Sequence, residues 1–186
     1  MKFLLLLLLC FSLDSRASFV FNYGLNYSNQ SDSSDAGEFE ATRTFHKVFL
    51  GASVDGKKTV FFGWNTNSWT STVSHGTDES TYKMLEMGPR VIWFFNDTYH
   101  FYFTAEWNPY AKGPREKAAT SRDISGSSYG AGLGYRFRLS RLVGLGASLN
   151  YHTLSIGEEK IGSTENSSSD GVKNIMPMLE LSIKTR

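Results

Sequence analysis

The feature that most constrains this chain is a two-residue alternation of apolar and polar side chains, repeated eight times with no helical period anywhere between. In an extended strand successive side chains point to opposite faces, so each run predicts a strand with one apolar and one polar face. The runs cover residues 18–28, 42–54, 59–69, 82–95, 99–110, 128–138, 143–154 and 172–183. In the sixth, Tyr129, Ala131, Leu133, Tyr135 and Phe137 oppose Gly130, Gly132, Gly134 and Arg136.

The connections alternate in length. Residues 55–58, 96–98 and 139–142 are short turns; residues 29–37, 70–80, 111–127 and 157–171 are long and rich in Ser, Thr, Asn, Asp and Gly. An even number of strands, about ten residues each, with tight turns at one end and long loops at the other, predicts an all-β fold. We read it as an eight-stranded antiparallel up-and-down transmembrane β-barrel. A closed barrel supplies an internal partner to every backbone polar group that lipid leaves unsolvated. The competing architecture is a secreted β-sandwich with the same apolar face turned inward. Trp64, Trp93, Trp107, Tyr129 and Tyr135 lie on that face, several near strand ends, as an interfacial girdle requires.

The N-terminus reads as a signal peptide over residues 1–17: a basic Lys2, an apolar run from Phe3 to Leu13, and small residues before a cut after Ala17. The barrel then spans 18–186. Cleavage takes away Lys2, Arg16, Asp14 and the single cysteine, Cys10, leaving 17 basic and 17 acidic side chains. A neutral chain has no basic excess for nucleic acid. Without cysteine there is no disulfide scaffold, thiolate metal site or cysteine nucleophile.

The polar face would line the lumen. It carries Arg43, Lys47, Glu86, Arg90, Glu106, Arg136 and Glu180, the expected lumen charge network, and also Arg138. Eight strands leave an interior just wide enough for side chains, and buried charges need partners. The set is therefore read as a neutralised plug, with the alternatives of a selective pore or a hydrolytic pair. Phe45, Phe49, Phe61, Trp69, Met84, Tyr102, Tyr110, Met176 and Met178 share the inward parity and face a wall of glycines at 130, 132, 134, 144 and 146. They are read as large residues filling the space that the glycines leave; the alternative is a narrow channel for small hydrophobic solutes. The fourth and fifth runs also predict a register. With Phe95 opposite Tyr99, Trp93 meets Phe101 and Arg90 meets Thr104, placing Glu106 diagonally near Arg90 as an interior ion pair.

Taken together, the strand count, the stretch FYFTAEWNPY at 101–110, YGAGLGYRF at 129–137 and the final LELSIKTR resemble the small eight-stranded bacterial outer-membrane barrels of the outer-membrane protein X, protein W and opacity type. The resemblance covers 18–186. It implies a monomer in the outer membrane of a Gram-negative cell, inserted by the barrel-assembly machinery and surrounded by outer-membrane lipids and lipopolysaccharide. It implies a structural or surface-interaction role with no cofactor and no catalysis. Two departures stand out. The chain closes on Lys184-Thr185-Arg186 where the family ends on an aromatic, and Pro89 and Pro177 fall inside strands, each expected to mark a bulge. His152 with Ser155 invites a comparison with lipid A-modifying barrels, but three residues of separation point the two side chains to opposite faces.

Overall fold

The computed structural model describes residues 18–185 apart from the pairs 35–36, 76–77, 96–97, 118–119, 162–163 and 169–170. The segment 1–17, read above as a leader, lies outside the described residues, as does Asn96 of the second short turn. The strands are β1 (Phe19–Ser34), β2 (Gly37–Ser53), β3 (Val60–His75), β4 (Asp78–Phe94), β5 (Phe101–Lys117), β6 (Thr120–Arg138), β7 (Val143–Ile161), β8 (Thr164–Ser167) and β9 (Gly171–Lys184). Each long strand pairs antiparallel with its neighbours, and β9 pairs with both β7 and β1, so eight strands close into a barrel. The ninth, β8, was expected to be loop. It pairs with the end of β7, from Glu158↔Ser167 to Ile161↔Thr164, and continues the wall above the start of β9.

Closure decides which face is the inside. Trp64, Trp93 and Trp107 are each 49% exposed and Leu133 is 59% exposed, whereas Phe45, Phe49 and Phe61 are fully buried. The face lined by tryptophans therefore looks outward, which excludes the sandwich. On β6 the outward series Phe137, Tyr135, Leu133, Ala131, Tyr129 is bracketed by aromatics and gives way to Ser127 and Ser125, as a lipid-facing band does.

The long connections are corrected most. Most of the segments read as solvated loops are strand: β1 runs on to Ser34, β3 to His75, β5 to Lys117 and β7 to Ile161. Their Ser/Thr-rich or charged sequences carry no long apolar face, yet polar neighbours complete the ladder, as in Thr42↔Thr72 and Thr72↔Thr81. The 17 residues of β5 extend roughly 56 Å along the strand, or roughly 40–46 Å along the barrel axis at the usual tilt. A lipid-facing band is about 25 Å tall, so the wall projects well beyond it.

Three ladders carry a register shift, that of β6–β7 between Ser125 and Gly126; the other two share one cause. The β4–β5 partners shift by one residue between Met87 and Arg90, and the β5–β6 partners shift between Asn108 and Ala111. One extra residue in β5 at Pro109–Tyr110 accounts for both. The β3–β4 ladder runs unshifted through Trp64↔Pro89, so Pro89 inserts nothing in its own strand. The expected register is corrected from the turn onward: Phe94 pairs with Tyr102, so Arg90 lies opposite Glu106, not Thr104, and Trp93 opposite Phe103, a slip of two that keeps every side chain on its face. Beyond the bulge parity changes, so Tyr110, expected inside, is 41% exposed while Ala111 is buried. Pro177 marks no bulge either, because β7–β9 pairing is continuous from Val143↔Ile183 to Ser155↔Gly171. It lies just past the last β1–β9 partners, Leu25↔Leu179, and its carbonyl accepts from Asn26 Nδ2 at 2.6 Å.

Candidate functional site: the barrel lumen

Side chains fill the lumen in three bands. Nearest the short turns, Val20, Phe49, Phe61, Ile92, Phe94 and Tyr102 form an apolar cluster. Nearest the long hairpins, Phe45, Trp69, Met84, Ala111, Ile124, Leu154, Ile156, Met176 and Met178 form a second, with Tyr82 and Val172 against it. A polar network lies between them.

The network is built on three carboxylates from three strands. Glu106 of β5 accepts from Lys47 Nζ of β2 at 2.8 Å, with both side chains 2% exposed, and its Oε2 lies 3.7 Å from Arg90 Nε of β4. Glu86 of β4 accepts from Trp69 Nε1 at 2.7 Å and Ser128 Oγ at 2.7 Å, and its Oε2 lies 2.9 Å from His152 Nε2. Glu180 of β9 accepts from Asn22 Nδ2 at 2.9 Å, from Tyr102 Oη at 2.8 Å and from Ser148 Oγ. Asparagines join the three. Asn67 Nδ2 donates to Glu86 at 3.2 Å and Glu106 at 3.1 Å, and Asn22 Oδ1 accepts from Arg90 at 3.4 Å. Burial strips water from all of these groups, so each carboxylate depends on protein donors.

Five of the seven network residues named from the sequence thus meet: Lys47, Glu86, Arg90, Glu106 and Glu180. Arg43 and Arg136 face inward but lie apart from the carboxylates. Arg43 is bonded to Asn174 and Ser71. Arg136 donates to Ser182 at 3.2 Å and stacks its guanidinium 4.9 Å from the Phe94 ring centroid. Asn22, Asn67, Tyr102, Ser128, Ser148 and His152 also belong to the network. Only their inward parity signals them, because their partners sit on strands far away in sequence. Among the described residues neither Glu86 nor Glu180 has a Lys or Arg within ion-pair distance, and His152 sits on Glu86.

Glycines admit the largest of these side chains, but from the neighbouring strand and not from the opposite wall. A Cβ on Gly134 would lie 2.2 Å from Tyr102 Cζ, and one on Gly130 would lie 2.8 Å from Glu106 Cγ. Tyr102↔Gly134 and Glu106↔Gly130 are direct cross-strand partners. The space left below the network, among Val20, Asn22, Tyr102, Arg136 and Glu180, is a cavity of about 10 Å³. His152 is 1% exposed, whereas Ser155 is exposed on the outer face, so the two form no catalytic pair.

No protein-family model matches the chain, and no curated protein matches it. Solved structures do. Neisserial surface protein A is similar at a TM-score of 0.56 with 13% identity, covering 91% of this chain and 97% of that one. The translocator domain of autotransporter NalP from Neisseria meningitidis aligns at 0.44 with 10% identity, over 100% of this chain and 95% of that one. The β domain of the Bordetella autotransporter BrkA aligns at 0.44 with 9% identity, over 91% and 99%. This chain has the fold of a small outer-membrane β-barrel. Its outward apolar band and filled interior are the two surfaces such a barrel needs, one for lipid and one for its own core. The barrel fold also accounts for the inward parity of the polar residues, which in a sandwich would face water.

Proposed function

We propose that this barrel is a structural or surface-interaction protein of the outer membrane that acts through its outward wall and hairpins, with its lumen serving as a plug. The observation that carries the reading is the three-band filling of the interior. Two apolar clusters flank a hydrogen-bonded charge network, and the cavity beside it is about 10 Å³, room for about one water. The aromatic and methionine side chains that suggest a hydrophobic-solute channel pack against each other, for example Phe45 on Trp69 with ring centroids 6.5 Å apart. In this reading the short turns lie in the periplasm. The hairpins β1–β2, β3–β4, β5–β6 and β7–β8–β9 project from the cell as a monomer's contact surface. Lipopolysaccharide and other outer-membrane lipids surround the wall, and the barrel-assembly machinery inserts it behind a signal peptide.

Planar-bilayer recording of the purified chain tests the plug. The expected result is a baseline trace at physiological salt. Stable unitary conductance steps would overturn the plug in favour of a channel.

A further inference from the structure

We propose that the short-turn mouth of this barrel is a binding site for a phosphate group. A cavity of about 220 Å³ opens there, and five cationic side chains line it: Lys58, Arg136, Arg138, Arg141 and Lys184, with the Ser140 hydroxyl beside them. Among the described residues no carboxylate lies within ion-pair distance of any of the five. Asp55, the acid of the β2–β3 turn, is tied into its own turn by Thr59 and Val60.

The cations are gathered, not scattered. The charged ends of Lys184, Arg136 and Arg138 lie 3.1, 5.8 and 5.9 Å from the centroid of one ring, that of Tyr99. Each is attracted to the ring face, yet like charges drawn so close repel each other where water is scarce. Arg136 is 6% exposed and its Nε has no hydrogen-bond partner. The backbone is strained at the same place. Lys58 and Tyr99, with φ of 61° and 58°, are the two non-glycine residues with positive φ among those described, and both line this cavity. Such conformations persist where the surroundings enforce them and gather at binding sites. Ser140 Oγ already accepts from the backbone N–H of Leu142 and Val143, so its own hydrogen is left to donate.

A phosphate suits this set. It offers several acceptor oxygens and up to two negative charges, and guanidinium forks match its geometry. The volume admits a phosphate carrying a glycerol-sized substituent. Two sources share that chemistry: a soluble phosphate compound and the headgroup of an anionic phospholipid in the adjoining leaflet. The inference rests on the barrel fold and is independent of whether the lumen conducts.

The test uses the full chain folded in a non-ionic detergent, in two arms. Isothermal titration with inorganic phosphate and with glycerol 3-phosphate reads the soluble arm. Native mass spectrometry after exposure to mixed phosphatidylglycerol and phosphatidylcholine reads the lipid arm. Saturable binding in the titration identifies a soluble ligand, and retention of phosphatidylglycerol alone identifies a headgroup. Arg138→Gln with Arg141→Gln, two exposed side chains whose loss leaves the core intact, should weaken binding at least about tenfold, the loss expected for one or more charge-assisted hydrogen bonds. The control Lys83→Gln with Lys112→Gln, at the other end of the barrel, should leave affinity unchanged. Absence of saturable binding in both arms, or equal weakening by the control pair, would overturn the proposal.

Discussion

Glu106 holds two bases at unequal distances, Lys47 at 2.8 Å and Arg90 at 3.7 Å. Replacing it by Gln strands two buried cations beside each other. Glu106→Gln should therefore destabilise the barrel by about 3–5 kcal/mol, the range for breaking a buried pair by removing one partner. Adding Lys47→Met should recover part of the loss, and more of it than adding Arg90→Met. Double-mutant cycles by urea unfolding in lipid vesicles measure both couplings; values near zero for both would mean a wet lumen. A second comparison concerns neighbours on opposite faces of β6. Leu133 is outward and central in the apolar band, so Leu133→Arg should cost about 2–4 kcal/mol. Gly134 looks harmless by parity, but Tyr102 occupies the place of its missing side chain. Gly134→Ser should cost about 1–3 kcal/mol through overpacking, and should disturb the Tyr102–Glu180 hydrogen bond. An unfolding midpoint unchanged by Gly134→Ser would show that the Tyr102 ring moves aside freely.

At the scale of the element, the strands that run past the apolar band matter most. If β5 and β6 extend to Lys117 and Thr120 outside the cell, a short tag at Ser121 should react with an impermeant reagent on intact cells. A tag at Lys57, in the β2–β3 turn, should not react; the reverse pattern would invert the topology. That turn is also an acid-sensitive element. Partial burial pushes the Asp55 carboxyl up, but the backbone N–H groups of Val60 and Thr59 and the Thr59 hydroxyl outweigh it and hold the pKa below the usual carboxylate range. A depressed pKa means the folded state favours the carboxylate. Its contribution is present above the unfolded value of about 3.9 and is lost as pH falls through the lower folded value. Asp55→Asn should therefore be less stable than the parent at neutral pH, and the gap should close at strongly acidic pH. A gap independent of pH would assign the effect to geometry and not to charge.

For the whole molecule, closure is the property that matters. Each of the eight long strands has a partner on both sides, β9 returning to β1 from Val20↔Lys184 to Leu25↔Leu179, so opening the wall there breaks a ladder; only the short β8, paired with β7 alone, stands outside the ring. The barrel should survive detergent at room temperature and unfold on boiling. The boiled and unboiled protein should then migrate at different positions on a denaturing gel, and a single position would count against a closed barrel.

Side-chain alternation is a local property, and it was legible in the sequence. The eight long strands, their inward and outward sets as far as the β5 bulge, and the inward parity of Lys47, Glu86, Arg90, Glu106 and Glu180 follow from a period of two that each strand carries by itself. Three things were decided only by tertiary structure. The Ser/Thr-rich segment at 70–75 and the charged segment at 111–117 have no apolar face to mark them as strand; they are held by neighbours that the chain brings alongside. The β4–β5 register was decided at the turn, where Phe94 pairs with Tyr102, two residues farther along β5 than Phe95 opposite Tyr99 implies; a slip of two leaves every side chain on its own face, so alternation cannot detect it. The pairing of charges depended on closure. Lys47 and Glu106 sit on β2 and β5, non-adjacent strands that hairpin register does not connect, and they meet because closing eight strands into a narrow ring brings inward side chains within reach of each other.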